Sequence, residues 1–506
     1  MKTLSCTLAL AAALAFGPAP CVAQNEAPVG ESGISSPASP RDQLLTAEQV
    51  REDLAITRQA LEQIHPGYTR YTLRGTLDAL WRDATAKALA NPTRGNLYLQ
   101  ISRVLAAIRC DHTKAELPAD FEKARQEEPL YLPFRYAIFD DRLFVIDPGE
   151  TDLVAGAEIL AIDGTPASEV ITKVFELFPV DGNTDYIKGE SVAAQGEFMG
   201  PAFDHFYPFL FDTRPEVTLS VAGMDDVTVK RWSYAQFEEQ TGTRRFSSNF
   251  DSSVTFKLLD DRAAYLSVDT FVNYRRPVDP DTIYGPVFER MAKSGRETLI
   301  LDLRRNGGGS NDAQIGLVQW LMPSAFRQAD AMLVKSDRID PAIKPYLSTW
   351  EQAALNPDPA WFEKREDGLF EIINPFVGKP AKSIPAKPGA FRGKVIVLTS
   401  TDNASGVTHL LSVLRTQRPD TVFIGEKTGG ASTGATAGIL FYLNLPHSGA
   451  KVRVPLQRTV ITQADKLDPR GGITPDIRAE DTLLSTLAGT DPAMEAAVAY
   501  LSKTDQ

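Results

Sequence analysis

Cysteine is scarce in this 506-residue sequence, with Cys6, Cys21 and Cys110 its only three. Two of them lie within the first 23 residues, so a chain that loses that segment keeps one thiol and no disulfide. Such a chain must rely on a large packed core. Histidine is scarce as well, limited to His65, His112, His205, His409 and His447. No cluster of His, Cys and Asp has metal-ligand spacing, so neither a metal nor an organic cofactor is expected. Basic charge is in deficit: the formal net charge is -12, and no Lys/Arg-rich block interrupts the sequence. A nucleic-acid partner is therefore not expected. Past the N-terminus no apolar run is long enough to span a membrane. Internal repeats are also lacking.

What is present begins with a targeting pattern. Lys2, the apolar stretch Leu4 to Phe16, and Cys21-Val22-Ala23 before Gln24 have the order of a secretory signal peptide, residues 1–23. A periplasmic or secreted location follows from it. A lipid anchor on Cys21 is disfavoured by Pro20, where a small residue would be required. Residues 24–43, rich in Pro, Ser, Gly and Glu, read as a disordered linker. Helical periodicity then organises residues 44–118, with Thr46 to Gln49 as a capping box, a stop at His65-Pro66-Gly67, and helices over Thr76–Ala90 and Arg94–Ile108. Residues 128–232 change to short strands and turns, Asp163-Gly164 among them as a hairpin turn. From residue 250 to about 500, strand and helix alternate, which predicts an α/β layer architecture. The Pro-rich stretch from Asp337 to Arg392 reads as an inserted surface excursion.

Two segments carry the candidate chemistry. In the first, the strand-like Glu297 to Leu301 runs into Asp302-Leu303-Arg304-Arg305-Asn306-Gly307-Gly308-Gly309-Ser310 and then a helix. Glycines at such a turn let backbone N–H groups face a ligand, an anion or a developing oxyanion. The same turn also serves with nothing bound. In the second, Ser405 opens a helix after the strand Lys394 to Thr399. Its hydroxyl is either a nucleophile, with the Gly406 N–H beside it, or a plain helix cap. A nucleophile needs a base. His409 lies one turn further on. His65 reads as a helix stop, His205 sits among aromatics, and His447 lies in a turn. His112, between Asp111 and Thr113 at the end of a helix, has the polar setting that favours function.

Taken together and in order, Asp111-His112-Thr113, Asp302 to Gly309, Asn403-Ala404-Ser405, Gly425 to Gly430 and Gly472-Ile473-Thr474-Pro475-Asp476-Ile477 resemble the tail-specific (C-terminal processing) serine proteases, tricorn-core-like branch. The resemblance implies an α/β fold: a crotonase/Clp-protease-like core, an N-terminal helical region and a PDZ-like β-rich module. It implies Ser405 as nucleophile, His112 as base, and N–H groups of Gly406 and of Gly308 or Gly309 as oxyanion hole. Lys427 stands off the position that the lysine-dependent branch uses. The nearest acid before the Gly-Ile-x-Pro-Asp segment is Asp468, expected to orient the histidine, with Asp111 as competitor. The expected function is an exported serine endopeptidase acting on peptides or unfolded proteins through an acyl-enzyme. A non-catalytic ligand-binding protein on the same fold is the alternative. An acyl-CoA enzyme is disfavoured by export.

Overall fold

Thr46 opens the first helix, α1 (Ala47–Ile64), by the expected reciprocal cap: its Oγ1 accepts from Gln49 N, and Gln49 Oε1 accepts from Thr46 N. His65, in extended conformation, ends it. Two further helices follow, α2 (Arg74–Ala90) and α3 (Arg94–Ile108), the latter capped by Thr93. The computed structural model describes residues 39–503, apart from 195, 197, 243–248, 260–261 and 375–381. The expected signal peptide and residues 24–38 of the expected linker lie outside the described residues. Residues 39–43 of that linker are held in place, with Pro40–Asp42 as a 3-10 turn and Gln43 O accepting from Arg94 N. Among the described residues no helix is long and apolar enough to cross a membrane.

The β-rich stretch forms one antiparallel sheet in simple order: β1 (Arg135–Phe139), β2 (Arg142–Asp147), β3 (Glu158–Ile162), β4 (Glu216–Val221) and β5 (Val227–Lys230). Asp163 and Gly164 both take positive φ, 49° and 78°, and turn β3 back onto Thr165–Pro166. That is the two-residue hairpin geometry that Asp-Gly favours. Helix α4 (Ala167–Phe175) packs on the sheet through Val170, Ile171 and Val174. A further buried helix, α5 (Ala202–Leu210), was not legible in the sequence, because Pro208 interrupts its pattern.

The C-terminal half contains a sheet ordered β11-β10-β9-β8-β7-β6, from β6 (Val254–Leu258), β7 (Ala263–Val268), β8 (Thr298–Asp302), β9 (Lys394–Thr399), β10 (Val422–Gly425) and β11 (Ile477–Arg478). All neighbours are parallel except β6 with β7. Strand alternation sends Leu299, Leu301, Val395 and Val397 toward Leu317, Val407 and Leu411 on one face. Ile300, Ile396, Leu398 and Ile424 meet Ala497 and Leu501 on the other. Covering both faces explains why these strands read as continuous apolar runs. The helices involved are α6 (Pro280–Ser294), α7 (Asn311–Leu321) and α8 (Ser405–Gln417) on the first face, and Pro492–Lys503 on the second.

Alternation of strand and helix is not the whole of this half. The long antiparallel hairpin Thr436–Asn444 and Lys451–Ile461 builds a second sheet of seven strands. The Pro-rich excursion contributes Leu347–Ser348, Phe362–Lys364 and Phe370–Ile372 to it. One apolar cluster joins this hairpin to the rest: Phe441, Val452 and Val454 pack in the same core as Leu61, Trp81, Ile101, Val145 and Leu219. The backbone just after His112 is paired to the hairpin as well, Ala115 opposite Val452 and Glu116 opposite Lys451.

Candidate active site

Both glycine-rich and serine-bearing loops leave carboxyl ends of adjacent parallel strands, β8 at Asp302 and β9 at Thr399. That is where open parallel sheets place ligand sites. Two fully buried asparagines hold the loops together. Asn403 Oδ1 accepts from Ser400 N, and its Nδ2 donates to Leu303 O at 2.6 Å and Asn306 O at 3.1 Å. Asn306 Nδ2 donates to Val268 O at the end of β7, and its Oδ1 accepts from Gly308 N. Gly430 closes on the same place: a Cβ there would stand 2.8 Å from Ala404 Cα. Asp476 ties Phe423 N to Arg415, and Thr428 pairs with Ile473 in both directions. The sequence segments singled out above therefore share one hydrogen-bonded frame.

Ser405 is not a capping residue. Ala404 occupies the N-cap without a side-chain bond, and Ser405 itself has φ of 52°. Left-handed backbone at a non-glycine residue is costly, and here it lifts the hydroxyl off the helix end. Ser405 Oγ meets His112 Nε2 at 3.1 Å, across two parts of the chain 293 positions apart. The ring's other nitrogen, Nδ1, is buried without a hydrogen-bond partner.

Of the three expected oxyanion donors, Gly308 is corrected: its N–H is already given to Asn306 Oδ1 at 2.8 Å. Gly309 and Gly406 have no such intramolecular acceptor. They are neighbours, since a Cβ on Gly406 would lie 3.5 Å from Gly309 N. Close packing reserves Gly309 for glycine, because with φ at 136° its Cβ would fall 2.3 Å from Phe271 C.

The expected acid is elsewhere. Asp468 faces Lys427 Nζ at 3.3 Å and accepts from Arg470 N at 3.0 Å. Lys427 in turn lies over the Tyr186 ring. Asp111, the competitor, pairs with Lys114 at 3.3 Å. The carboxylate beside His112 is Asp181, 2% exposed, brought in by the loop before Gly182. Its oxygens accept from Asp111 N at 2.9 Å and Ala431 N at 3.5 Å. Burial, helped by Asp111, pushes its carboxyl above the usual range, while His112 opposes that shift. Sequence reasoning missed Asp181 because only the tertiary fold brings position 181 beside position 112. Against the expectation from spacing, Cys110, His112 and Asp181 form a set whose ligand atoms all lie within 4.8 Å of one another.

The other histidines are placed as structural groups. His409 Nε2 accepts from Ala435 N at 3.2 Å, and burial drops its pKa to about 4. His65 Nδ1 accepts from Gly67 N, which leaves Nε2–H to donate to Thr113 Oγ1; burial lowers its pKa to about 3. His205 bonds Tyr98 OH among aromatic rings, and His447 pairs with Glu52.

A strained serine against a histidine, with free amides at the end of a parallel sheet, belongs with the serine-type peptidases. Residues 262–479 match the model of Peptidase family S41, a match that supports a serine-type peptidase of the tail-specific kind. Among solved structures it is similar to mature CPAF, at 14% identity and a TM-score of 0.54 over 87% of this chain and 94% of that one. The structure of mature CPAF complexed with lactacystin matches over 90% and 97%, again at 14% identity, with a TM-score of 0.57. Similarity at this identity is one of fold. The photosystem II D1 C-terminal processing protease aligns over 89% of this chain and 99% of its own, at 16% identity and a TM-score of 0.39. No curated protein sequence matches the chain.

Proposed function

We propose that this is an exported endopeptidase, periplasmic or secreted, that cleaves peptides or unfolded proteins through an acyl-enzyme on Ser405. The observation that carries the reading is the 3.1 Å contact between His112 Nε2 and Ser405 Oγ. In the proposed sequence, neutral His112 takes the hydroxyl proton as Oγ bonds the scissile carbonyl carbon. The carbonyl oxygen becomes an oxyanion held by the N–H groups of Gly309 and Gly406. His112 then gives its proton to the departing amine, and water, deprotonated by the same ring, releases the acyl group. Asp181 is the better candidate than Asp468 for stabilising the histidine cation, since it is the buried carboxylate near the ring.

The same reading divides the chain into a helical region (44–118), a PDZ-like module (128–232) and a crotonase/Clp-protease-like core (250–500). Support for the module comes from its antiparallel sheet with α4 packed on it, and support for the core from the parallel sheet whose loops carry Ser405 and the glycines. The order of residues in 1–23 supports export.

The test is covalent labelling. A serine-directed phosphonate should modify the peptide containing Ser405 in the wild type and leave Ser405→Ala unmodified. Labelling of other serines with Ser405 untouched would refute the assignment. Lactacystin, present in the CPAF complex, is a second probe.

A further inference from the structure

We infer that Cys110, His112 and Asp181 form an inhibitory site for a zinc-class divalent cation, one that switches the peptidase off by taking its base. The inference rests on the Ser405–His112 reading and adds regulation to it. A thiol, an imidazole and a carboxylate are the three side-chain types that bind zinc, and three protein ligands leave a fourth position for water. The three ligand atoms lie within 4.8 Å of one another. Zinc–ligand bonds of about 2.0–2.3 Å in tetrahedral geometry separate ligand atoms by roughly 3.3–3.6 Å, so closure requires a contraction of about 1 Å.

Two independent observations point to a ligand at this place. With Nε2 turned to Ser405, Nδ1 is the nitrogen free to ligate, and it is buried and unpartnered. Such an orphaned polar atom is costly unless something meets it. Cys110 and Asp181 are 3% and 2% exposed, and both are held by backbone: Cys110 Sγ on Thr436 O, Asp181 on Asp111 N and Ala431 N. Asp181 is thus preset, Cys110 exchanges its thiol contact with Thr436 O for the metal, and the part-exposed His112 leaves the ion an approach.

The consequence for catalysis is a choice between two states of one ring. As base, His112 needs an open lone pair on Nε2 and a proton on Nδ1. A cation on Nδ1 occupies that nitrogen's own lone pair, and the proton it displaces moves to Nε2. With Nε2 protonated, the ring cannot accept the proton of Ser405. Binding releases the Cys110 thiol proton to solvent, and no redox change occurs.

The full-length protein, freed of metal by chelation, is titrated with cobalt(II) and with zinc. Cobalt should bind once per chain with a near-ultraviolet thiolate charge-transfer band, and zinc should displace it. Zinc should also block phosphonate labelling of Ser405 and inhibit peptide hydrolysis. Cys110→Ser should lose the band and need at least about tenfold more zinc for half inhibition, read against its own zinc-free rate. Asp181→Asn should weaken cobalt binding too, and thermal melts of both variants establish that they fold. A charge-transfer band in a chain without hydrolytic activity would uphold the metal site and refute the peptidase reading. An active enzyme with no band, or one whose zinc inhibition is unchanged in Cys110→Ser, would overturn the metal site and leave the peptidase reading standing.

Discussion

His112 and Ser405 are 293 positions apart in sequence and meet at 3.1 Å, with no shared element of secondary structure between them. Each is set by its own local device: Ser405 by a left-handed φ of 52° at the start of α8, His112 by a loop clamped to Asp181 through Asp111 N. The contact is thus a product of tertiary assembly.

Removal of either partner should abolish turnover. Comparable hydroxyl nucleophiles lose up to about 10⁶ in kcat, and residues that act as a unit do not add their losses. Ser405→Ala, His112→Ala and the double variant should therefore be equally inactive within roughly tenfold. Because Ser405 Oγ caps no helix, Ser405→Ala should shift stability by only about 0.5 kcal/mol. Single-turnover assays with chemical denaturation check both statements.

Asn403→Ala should act on stability and rate together. It strips partners from Ser400 N and Asn306 O in a fully buried setting, and one of two from Leu303 O, which keeps the bond from Asn306 N. Each unsatisfied group costs about 1–3 kcal/mol, so a loss near 3 kcal/mol is expected after relaxation. Urea melts give the number. A shift below about 1 kcal/mol would show that the frame around Ser405 is held by other contacts.

Asp181→Asn, Asp468→Asn and Lys427→Ala separate the candidate acids and bases. Asp181→Asn should lower kcat about 100-fold or more with little change in KM, approaching the roughly 10⁴ seen when an orienting aspartate is made neutral. Its stability should stay level or rise, because burial already disfavours the charged carboxylate. The other two should cost less than about tenfold, since their side chains pair with each other. Equal losses in Asp181→Asn and Asp468→Asn would return the orienting role to the sequence-based candidate.

Glu426 and Asp204 contribute stability that should be lost as pH rises from about 5 to above 7, against the opposite contribution of the buried His65 and His409. Burial, together with Glu190, lifts Glu426 from 4.5 to about 7. Burial alone, against the bond from Tyr136, lifts Asp204 from 3.8 to about 6. Between those limits the folded chain keeps protons that the unfolded chain has released, so protonation favours the native state at the acid end. The difference in melting temperature between wild type and Glu426→Gln, taken at pH 5, 6, 7 and 8, should move in favour of the variant as pH rises. A difference that stays constant with pH would contradict the Glu426 shift.

The sequence made much of this legible where the signal was local. Thr46 and Gln49 mark a cap that forms, and Asp163-Gly164 marks a turn with both φ values positive. The apolar runs at 298–302 and 394–399 are the paired central strands. The Ser405 and His112 candidates stood out as polar residues at element ends, and the structure brings them together. Asp181 did not stand out, because an aspartate in Asp-Gly-Asn reads as an ordinary turn. Its burial and its approach to His112 are tertiary facts. The same holds for Gly308, whose N–H is diverted by the Asn306 side chain. Helix α6 was hidden by Pro286 and the seven-stranded sheet by an intervening excursion, so local periodicity had little purchase there.

The pairing of Ala115–Glu116 with Lys451–Val452 has a consequence for biosynthesis. A ribosome makes His112 early, Ser405 late, and the strand that clamps the histidine loop later still. The strand that pairs beside His112 is thus made only after both His112 and Ser405. The span 262–479 expressed alone would likewise hold a nucleophile with no partner. On the proposed reading, the order of the chain delays assembly of the site until its last paired strand is available.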